Sequence, residues 1–554
     1  MVLTEEQKNV VNALQSYDRV KIMALAGTGK TTTLKAIAEH YHDKRILFLA
    51  FNHSVKVECE KKFPQNTSVY TIHGLAFKYY KDIYKASPKT FNLSVYTLED
   101  HIKHFNFKRD FGKNFVKLIT ERRKLDYEIS RNLFHLTSLL KSIYEDYLYS
   151  DVEDLREYIK ISEHYDYVLN IGIDYGMREV EDVYEILKQI YDLQIQNTLP
   201  VSHDVYVKWF ANSLPHIFRE RYDIVCLDEA QDTNAVSEQI LEKLPIKKKI
   251  IVGDIHQKIY GFRKAVAVID LWQADITLPL TTTFRCPHDV CEYANRILEC
   301  KNSDLFLKSY KKQANNECKD TAYLTRTNSS LIEIMLMLIE RDMKYKVIRD
   351  IDEIFKLPMA IEDYFNGFKD EAKRVYPVFK ENFRDMEALK EYAEKNEDVE
   401  LLYGIRIVEK INRRRMNVRE AYELCKNNID KKADIVLATA HSSKGLEWDM
   451  VYIWSDFPYL PRVMANAMKH FKVETIDDVL SLYKKLMNDV YRKKEYEKRK
   501  ALDILTEAIE EVNLYYVAIT RAREKLEDYS ENVLIRDKED LEQKTKNELI
   551  FAFR

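Results

Sequence analysis

The 554-residue sequence predicts an α/β protein with two parallel-sheet cores, each flanked by helices and interrupted by helical insertions. Three observations predict this class. A strand-sized apolar run, Val20–Ala24, leads through Gly27-Thr28-Gly29 into a helical pattern at Leu34, Ile37 and Ala38. Further short apolar runs alternate with helical stretches, as in a parallel sheet covered by helices. A second set of such runs begins beyond residue 320, far from the first.

Taken in chain order, the first core uses Val20–Ala24, Ile46–Phe51, Val69–Ile72, Ile224–Leu227 and Ile250–Gly253 as strands. The second uses Thr321–Leu324, Ile435–Ala438 and Val451–Trp454, with a helix around Val512–Thr520. The chain therefore divides into a first core of 1–77 and 200–282 and a helical insertion of 78–199. A second core of 283–344 and 431–554 follows, with its own helical insert at about 457–508 and a smaller insertion at 345–430. No Gly/Ser-rich linker marks these edges.

Composition narrows the function classes. Lys and Arg number 87 against 90 Asp and Glu, a net charge of −3. That excludes a globally basic nucleic-acid coat and leaves room for a local basic groove. No apolar run approaches the ~18 residues of a membrane span. The opening Met-Val-Leu-Thr-Glu-Glu-Gln lacks a basic stretch followed by an apolar one. Seven cysteines, a sparse and odd number, suit free thiols in a reducing compartment. A cytoplasmic protein without membrane contact, acting as a monomer, is the expectation. Of only 11 glycines, Gly27, Gly29, Gly74, Gly253, Gly261 and Gly445 fall inside the motifs that follow.

Ala24-Leu25-Ala26-Gly27-Thr28-Gly29-Lys30-Thr31 matches a phosphate-binding loop, with Ala24 in place of its first glycine. Small residues let backbone N–H groups converge on phosphate oxygens at a helix N-terminus. Lys30 is then placed for the β- and γ-phosphates, and the Thr31 hydroxyl for Mg²⁺. The run Val225–Leu227 ends in Asp228 and Glu229. Asp228 is the second candidate Mg²⁺ ligand and Glu229 the candidate general base for an attacking water. A third strand ends in Gly253-Asp254-Ile255-His256-Gln257, followed by Tyr260, Phe262 and Arg263. Gln257 is the candidate bridge between γ-phosphate and water, and Arg263 lies in the same region.

Together these motifs resemble superfamily 1 helicases of the UvrD/Rep type, and within them the F-box DNA helicase branch. The resemblance runs in order along nearly the whole chain. It includes Leu3-Thr4-Glu5-Glu6-Gln7, Phe48–Asn52, Thr71–Ala76, His203–Trp209, Asp228–Asp232, Thr283-Phe284-Arg285, Thr439–Asp449 and Asn513–Ala522. It implies two RecA-like cores that hydrolyse ATP with Mg²⁺ in a cleft between them. It further implies that Gln7 reads adenine, Phe284 stacks on it and Glu447 contacts the ribose, with Arg285 and Arg521 as arginine fingers on the γ-phosphate. Ala26, Gly27, Thr28 and Gly29 line the phosphates. Thr32 stands where many relatives carry an arginine near the base. Phe262 stands where many have a tryptophan, and 345–430 occupies the place of a much larger accessory domain.

The expected partner is single-stranded DNA and its junctions with duplex, with 3′→5′ movement implied by the resemblance alone. Bases stack on aromatic side chains along a cationic track. The candidates are Phe51, Asn52, His73, Tyr260, Phe262, Arg263 and His441, expected on the face opposite the nucleotide cleft. A second candidate patch, Phe105–Lys124, interleaves Phe107, Phe111 and Phe115 with seven basic residues. Its alternative is an amphipathic helix with a solvated basic face. Arg413–Arg415 and Arg492–Lys500 read as solvated helix surface. Cys286, Cys291, Cys300 and Cys318 lack the short spacing of a metal cluster and read as buried thiols; His101 and His104 receive no metal. Competing functions are a translocase that strips proteins from a strand, an RNA helicase of the same superfamily, and a non-motor P-loop protein.

Overall fold

The computed structural model describes residues 3–85, 95–261, 268–311, 318–395 and 398–552. The chain forms two units: 1–281 with 471–510, and 282–470 with 511–554.

Unit one is built on a six-stranded, wholly parallel sheet. Its strands are β1 (Arg19–Ala24), β2 (Ile46–Ala50), β3 (Thr67–Thr71), β4 (Ile224–Leu227), β5 (Lys248–Gly253) and β6 (Ile276–Leu280), in the order β3-β2-β4-β5-β1-β6. Central β2 and β4 are buried at every residue, which is why they read as unbroken apolar runs. Phe48, Ile22, Ile250 and Leu34 meet in one core beneath the sheet. Each such side chain contributes about 1.5–3 kcal/mol on burial. Edge strand β6 went unrecognised in the sequence. Its residues alternate in exposure and it contains Pro279, which an edge tolerates because one side of its ladder is empty.

The first insertion is helical and is pinned by Lys208, which is fully buried on the helix His203–Ile217. Its ammonium donates to the carbonyls of Ser150 at 2.8 Å and Val152 at 2.6 Å and lies 4.3 Å from the Tyr147 ring centroid. These groups close the end of the long helix Tyr127–Tyr149.

The segment 471–510 belongs to unit one, a correction to its expected place as an insert of the second core. Tyr483 accepts a hydrogen bond from Lys258 at 3.1 Å, and Arg492 pairs with Glu238 at 2.8 Å. The basic run Arg492–Lys500 is a solvated face only in part: Arg492, Lys493 and Lys500 are exposed, while its other basic residues are tied down. Lys494 pairs with Asp151, Lys493 and Lys498 share Asp489, and Arg499 is buried.

Unit two has a short parallel pair, β7 (Thr282–Thr283) with β8 (Lys308–Ser309), and a five-stranded parallel sheet. The sheet comprises β9 (Thr321–Thr325), β10 (Lys346–Val347), β11 (Ile435–Thr439), β12 (Trp448–Ile453) and β13 (Ala522–Asp528), ordered β10-β11-β9-β12-β13. Strand β13, sequence AREKLED, escaped the sequence reading because an edge strand keeps charged residues on its wet side. Residues 345–430 form helices that share a core with the rest of the unit. Phe355, Ile361, Leu401 and Ile405 pack in one cluster with Leu331, Ile334 and Met335 of the helix Asn328–Glu340. No helix among the described residues is long and apolar enough to cross a membrane.

Candidate functional site

All strands of the first sheet are parallel, so the loops after β1, β2, β3, β4 and β5 leave one edge. Ala24 ends β1 inside the core, 1% exposed, where the ladder holds it against Leu280. The turn that follows needs φ of 70° at Gly27 and 80° at Gly29, which glycine adopts without steric cost. Gly29 then caps the helix Lys30–His40, which directs the backbone N–H groups of its first turn along the loop.

Lys30 enters this edge almost buried, 3.3 Å from the Glu229 carboxylate. Burial opposes its charge, but Glu229, Asp254 and Asp228 outweigh burial and raise its pKa above the ordinary lysine value. Lys30 is therefore an ammonium at neutral pH. Asp228 is 3% exposed and its carboxylate accepts the Glu229 N–H at 3.0 Å. Glu229 has a left-handed backbone, φ 51°. Such a conformation costs a residue with a side chain about 1–3 kcal/mol and is characteristic of functional loops.

A relay of amides and acids, which the sequence motifs did not reveal, links this pair to Gln257. The Gln231 side chain, fully buried, donates to Glu229 through Nε2 and accepts the Asp254 N–H through Oε1 at 3.0 Å. Asp254 in turn accepts from Gln257 Nε2 at 2.7 Å. Gly253 makes this possible, since a Cβ there would stand 2.2 Å from Gln231 Oε1. The signal for Gln231 and Asp254 was present, both being polar residues placed just after a buried strand.

Gln7 lies on the helix Glu5–Ala13 and forms a capping box with Thr4. Its amide oxygen accepts the Thr4 N–H at 3.0 Å, but its amide nitrogen is buried with no hydrogen-bond partner among the described residues. A buried donor without an acceptor fits a ligand that brings one, as adenine does. Neighbouring Glu6 holds the helix against the end of β6, accepting from the Thr281 N–H and hydroxyl at 2.9 and 2.6 Å. Ala26 and Thr28 are buried, with the Thr28 hydroxyl donating to the Leu25 carbonyl at 2.8 Å; Thr31 and Thr32 occupy the first turn of the following helix. The groups that could hold Mg²⁺ are the Thr31 hydroxyl and the Asp228 carboxylate. Two hard oxygen donors are a usual protein share for Mg²⁺ that is also bound by phosphate and water.

Unit two gathers residues from three distant motifs. Arg285 forms an ion pair with Glu447 at 2.6 Å and donates to the Thr520 carbonyl at 3.2 Å. Burial pushes the Glu447 carboxyl up, but Arg285 with Arg523 and Arg521 brings it below the usual range. Arg521 is 1% exposed and donates to the Val517 and Leu446 carbonyls at 2.8 and 3.3 Å. Phe284 packs beside Tyr310, ring centroids 4.9 Å apart. His441 follows β11, and burial, with Arg326 and Lys444, pulls its pKa down to about 4.

Of the nucleic-acid candidates, Phe51 and Tyr260 come together, their rings stacked 6.0 Å apart at 16°. Asn52 is exposed and caps the helix His53–Lys62 through a bond from the Val55 N–H. His73 is exposed and stands 3.7 Å from Asp204. These residues follow β2, β3 and β5 and so leave the same sheet edge as the phosphate loop, displaced along it by strand order. Phe262 and Arg263 lie outside the described residues. In the patch Phe105–Lys124 the structure agrees with the amphipathic alternative, with Lys108, Lys113, Lys117 and Lys124 exposed. Phe107, Phe111 and Phe115 are 3%, 5% and 0% exposed and form core, while Arg109 and Arg122 are paired with Glu179 and Glu99. Cys286, Cys291 and Cys300 are buried, but Cys318 is exposed, against the expectation for it.

Residues 3–274 match the model of the UvrD/REP helicase N-terminal domain, and 358–527 that of the UvrD-like helicase C-terminal domain. The chain is 28% identical over 496 residues to "F-box DNA helicase 1" of Gallus gallus, covering 84% of this chain and 46% of that protein. It is 26% identical over 565 residues to "F-box DNA helicase protein 1" of Schizosaccharomyces pombe, covering 95% and 57%. A "Probable DNA helicase II homolog" of Mycoplasma genitalium is 22% identical over 425 residues, covering 72% and 52%. The chain thus spans about half the length of these relatives.

Proposed function

The chain belongs to the UvrD/Rep family of helicases, and from that premise we propose that it hydrolyses ATP to move 3′→5′ along single-stranded DNA and to unwind duplex. The observation that carries the reading is the largely enclosed Lys30 ammonium 3.3 Å from Glu229, at the mouth of a left-handed glycine turn. In phosphoryl transfer the protein's task is to position the reactants and stabilise charge on the equatorial oxygens. Lys30 supplies fixed positive charge to the phosphates, and Gln7 offers its unpaired amide to the base. Glu229 orients and deprotonates the attacking water, its carboxylate aimed by Gln231. Thr31 and Asp228 hold Mg²⁺, which supplies further charge neutralisation when bound. By the family resemblance, Arg285 and Arg521 take the role of arginine fingers, with Phe284 and Glu447 for base and ribose. For DNA, unit one offers Phe51, Tyr260, Asn52 and His73 and unit two offers His441, and a stacked base contributes about 1–3 kcal/mol.

Lys30→Ala and Glu229→Gln are expected to abolish DNA-stimulated ATP hydrolysis, while Glu229→Gln still binds ATP. Steady-state turnover and nucleotide-binding titrations check this, and wild-type turnover in either variant refutes the site. Duplexes with a 3′ or a 5′ single-stranded tail test direction, with only the 3′-tailed duplex expected to open. Residues 345–430 are built into the core of unit two. That small accessory region favours, as a second reading, a motor that clears bound protein from a strand. Displacement of a strand-bound protein without opening of the tailed duplex selects it. Greater stimulation by RNA than by DNA selects the RNA reading.

A further inference from the structure

The loop Asp254–Gly261 carries both ends of the proposed machine. Gln257, at one end, is held by Asp254; Tyr260, three residues on, stacks on Phe51. Its own residues do not fix this loop alone. Lys258 is 4% exposed and donates to the Tyr483 hydroxyl at 3.1 Å. Burial opposes the charge on Lys258, but Tyr483 and Glu510 outweigh it and raise the pKa of the ammonium. The Gly261 N–H donates to Glu510 Oε1 at 2.8 Å. Glycine is required for that approach, because a Cβ at 261 would stand 2.4 Å from the same carboxylate oxygen and 2.8 Å from Thr506.

Tyr483 and Glu510 both come from the segment 471–510, more than 200 residues further along the chain. Glu510 is the last residue of unit one, midway along the helix Arg499–Ile519. The next residue, Glu511, takes a two-pronged ion pair from Arg326 within unit two. Two consecutive acids on one helix are thus committed to different units.

We propose that Glu510, assisted by Tyr483, is a positioning residue that couples DNA to ATP turnover. It holds the loop so that the base-stacking ring of Tyr260 and the amide of Gln257 move as one piece. Neither Glu510 nor Tyr483 touches the reacting atoms, so the loss belongs in the coupling and not in the chemistry. The inference rests on the helicase reading and deepens it.

The test compares ATP turnover with and without a saturating single strand. Glu510→Ala removes the acceptor of Gly261. It is expected to lower the stimulation ratio about tenfold, the size of one hydrogen bond to a charged group. Unstimulated turnover and the KM for ATP stay near wild type. Glu510→Gln keeps an acceptor and restores the ratio, whereas Gly261→Ala reproduces the loss. Should Glu510→Ala fail to fold, Tyr483→Phe, which deletes one hydroxyl, carries the same expectation of a reduced ratio. A well-folded Glu510→Ala with a wild-type ratio overturns the inference, as does an equal fall in stimulated and unstimulated turnover. Wild-type protein whose turnover ignores DNA removes the helicase reading itself, so the two failures are distinguishable.

Discussion

At single-residue scale, the proposed chemistry falls on a residue with a left-handed backbone, Glu229. That residue combines this backbone with a carboxylate held by Lys30 and Gln231. His441 gives a pH signature. Its pKa is near 4 in the folded chain, against about 6.5 in an unfolded one. Between those values the unfolded chain binds a proton that the folded chain refuses. Its stabilising contribution is therefore complete above pH ~6.5 and declines as the pH falls through that window, by at most about 3.4 kcal/mol. His441→Asn removes the titration. Urea unfolding at a series of pH values should show a shallower decline below pH ~6.5 for the variant than for wild type; identical slopes would contradict the assignment. Lys30, Asp228 and Glu229 were legible in the sequence because a phosphate loop and an acid pair each fit within eight residues. The relay through Gln231 and Asp254 was not, since it joins residues 23 positions apart. The grip of Glu510 on Gly261 spans 249.

At the scale of helices and strands, burial decided what could be read. Strands covered on both faces, such as β2, announce themselves as apolar runs. Edge strands β6 and β13 show half their residues to water and do not. The helix Asp110–Glu121 gives the opposite lesson. Its phenylalanines alternate with lysines as a nucleic-acid patch does, yet Phe111 and Phe115 stack on each other at 5.4 Å inside the first insertion. Spacing alone cannot separate a base-stacking row from an amphipathic face. Phe115→Ala should therefore cost about 3–5 kcal/mol of stability, as for a large core truncation. Chemical denaturation reads that cost, and single-strand affinity measured on the folded fraction should hold. A stable variant with weakened DNA binding would restore the patch to the DNA track.

For the molecule as a whole, the sequence order of the two cores was legible, but the ownership of 471–510 was not. Chain order places that segment in the second half, while its contacts belong to unit one. The insertion 345–430 is similarly integrated. Removing it would uncover Leu331, Ile334 and Met335, all fully buried in the cluster they share with its helices. Replacing 345–430 by a short linker is expected to yield aggregated protein; a soluble product with a cooperative thermal transition would show an independent domain. The distribution of thiols has a practical corollary. Six of the seven cysteines are buried and only Cys318 is exposed. A maleimide dye applied briefly to the native, unmutated protein should attach at that one position, giving a singly tagged molecule with which the proposed movement along a tethered strand can be watched.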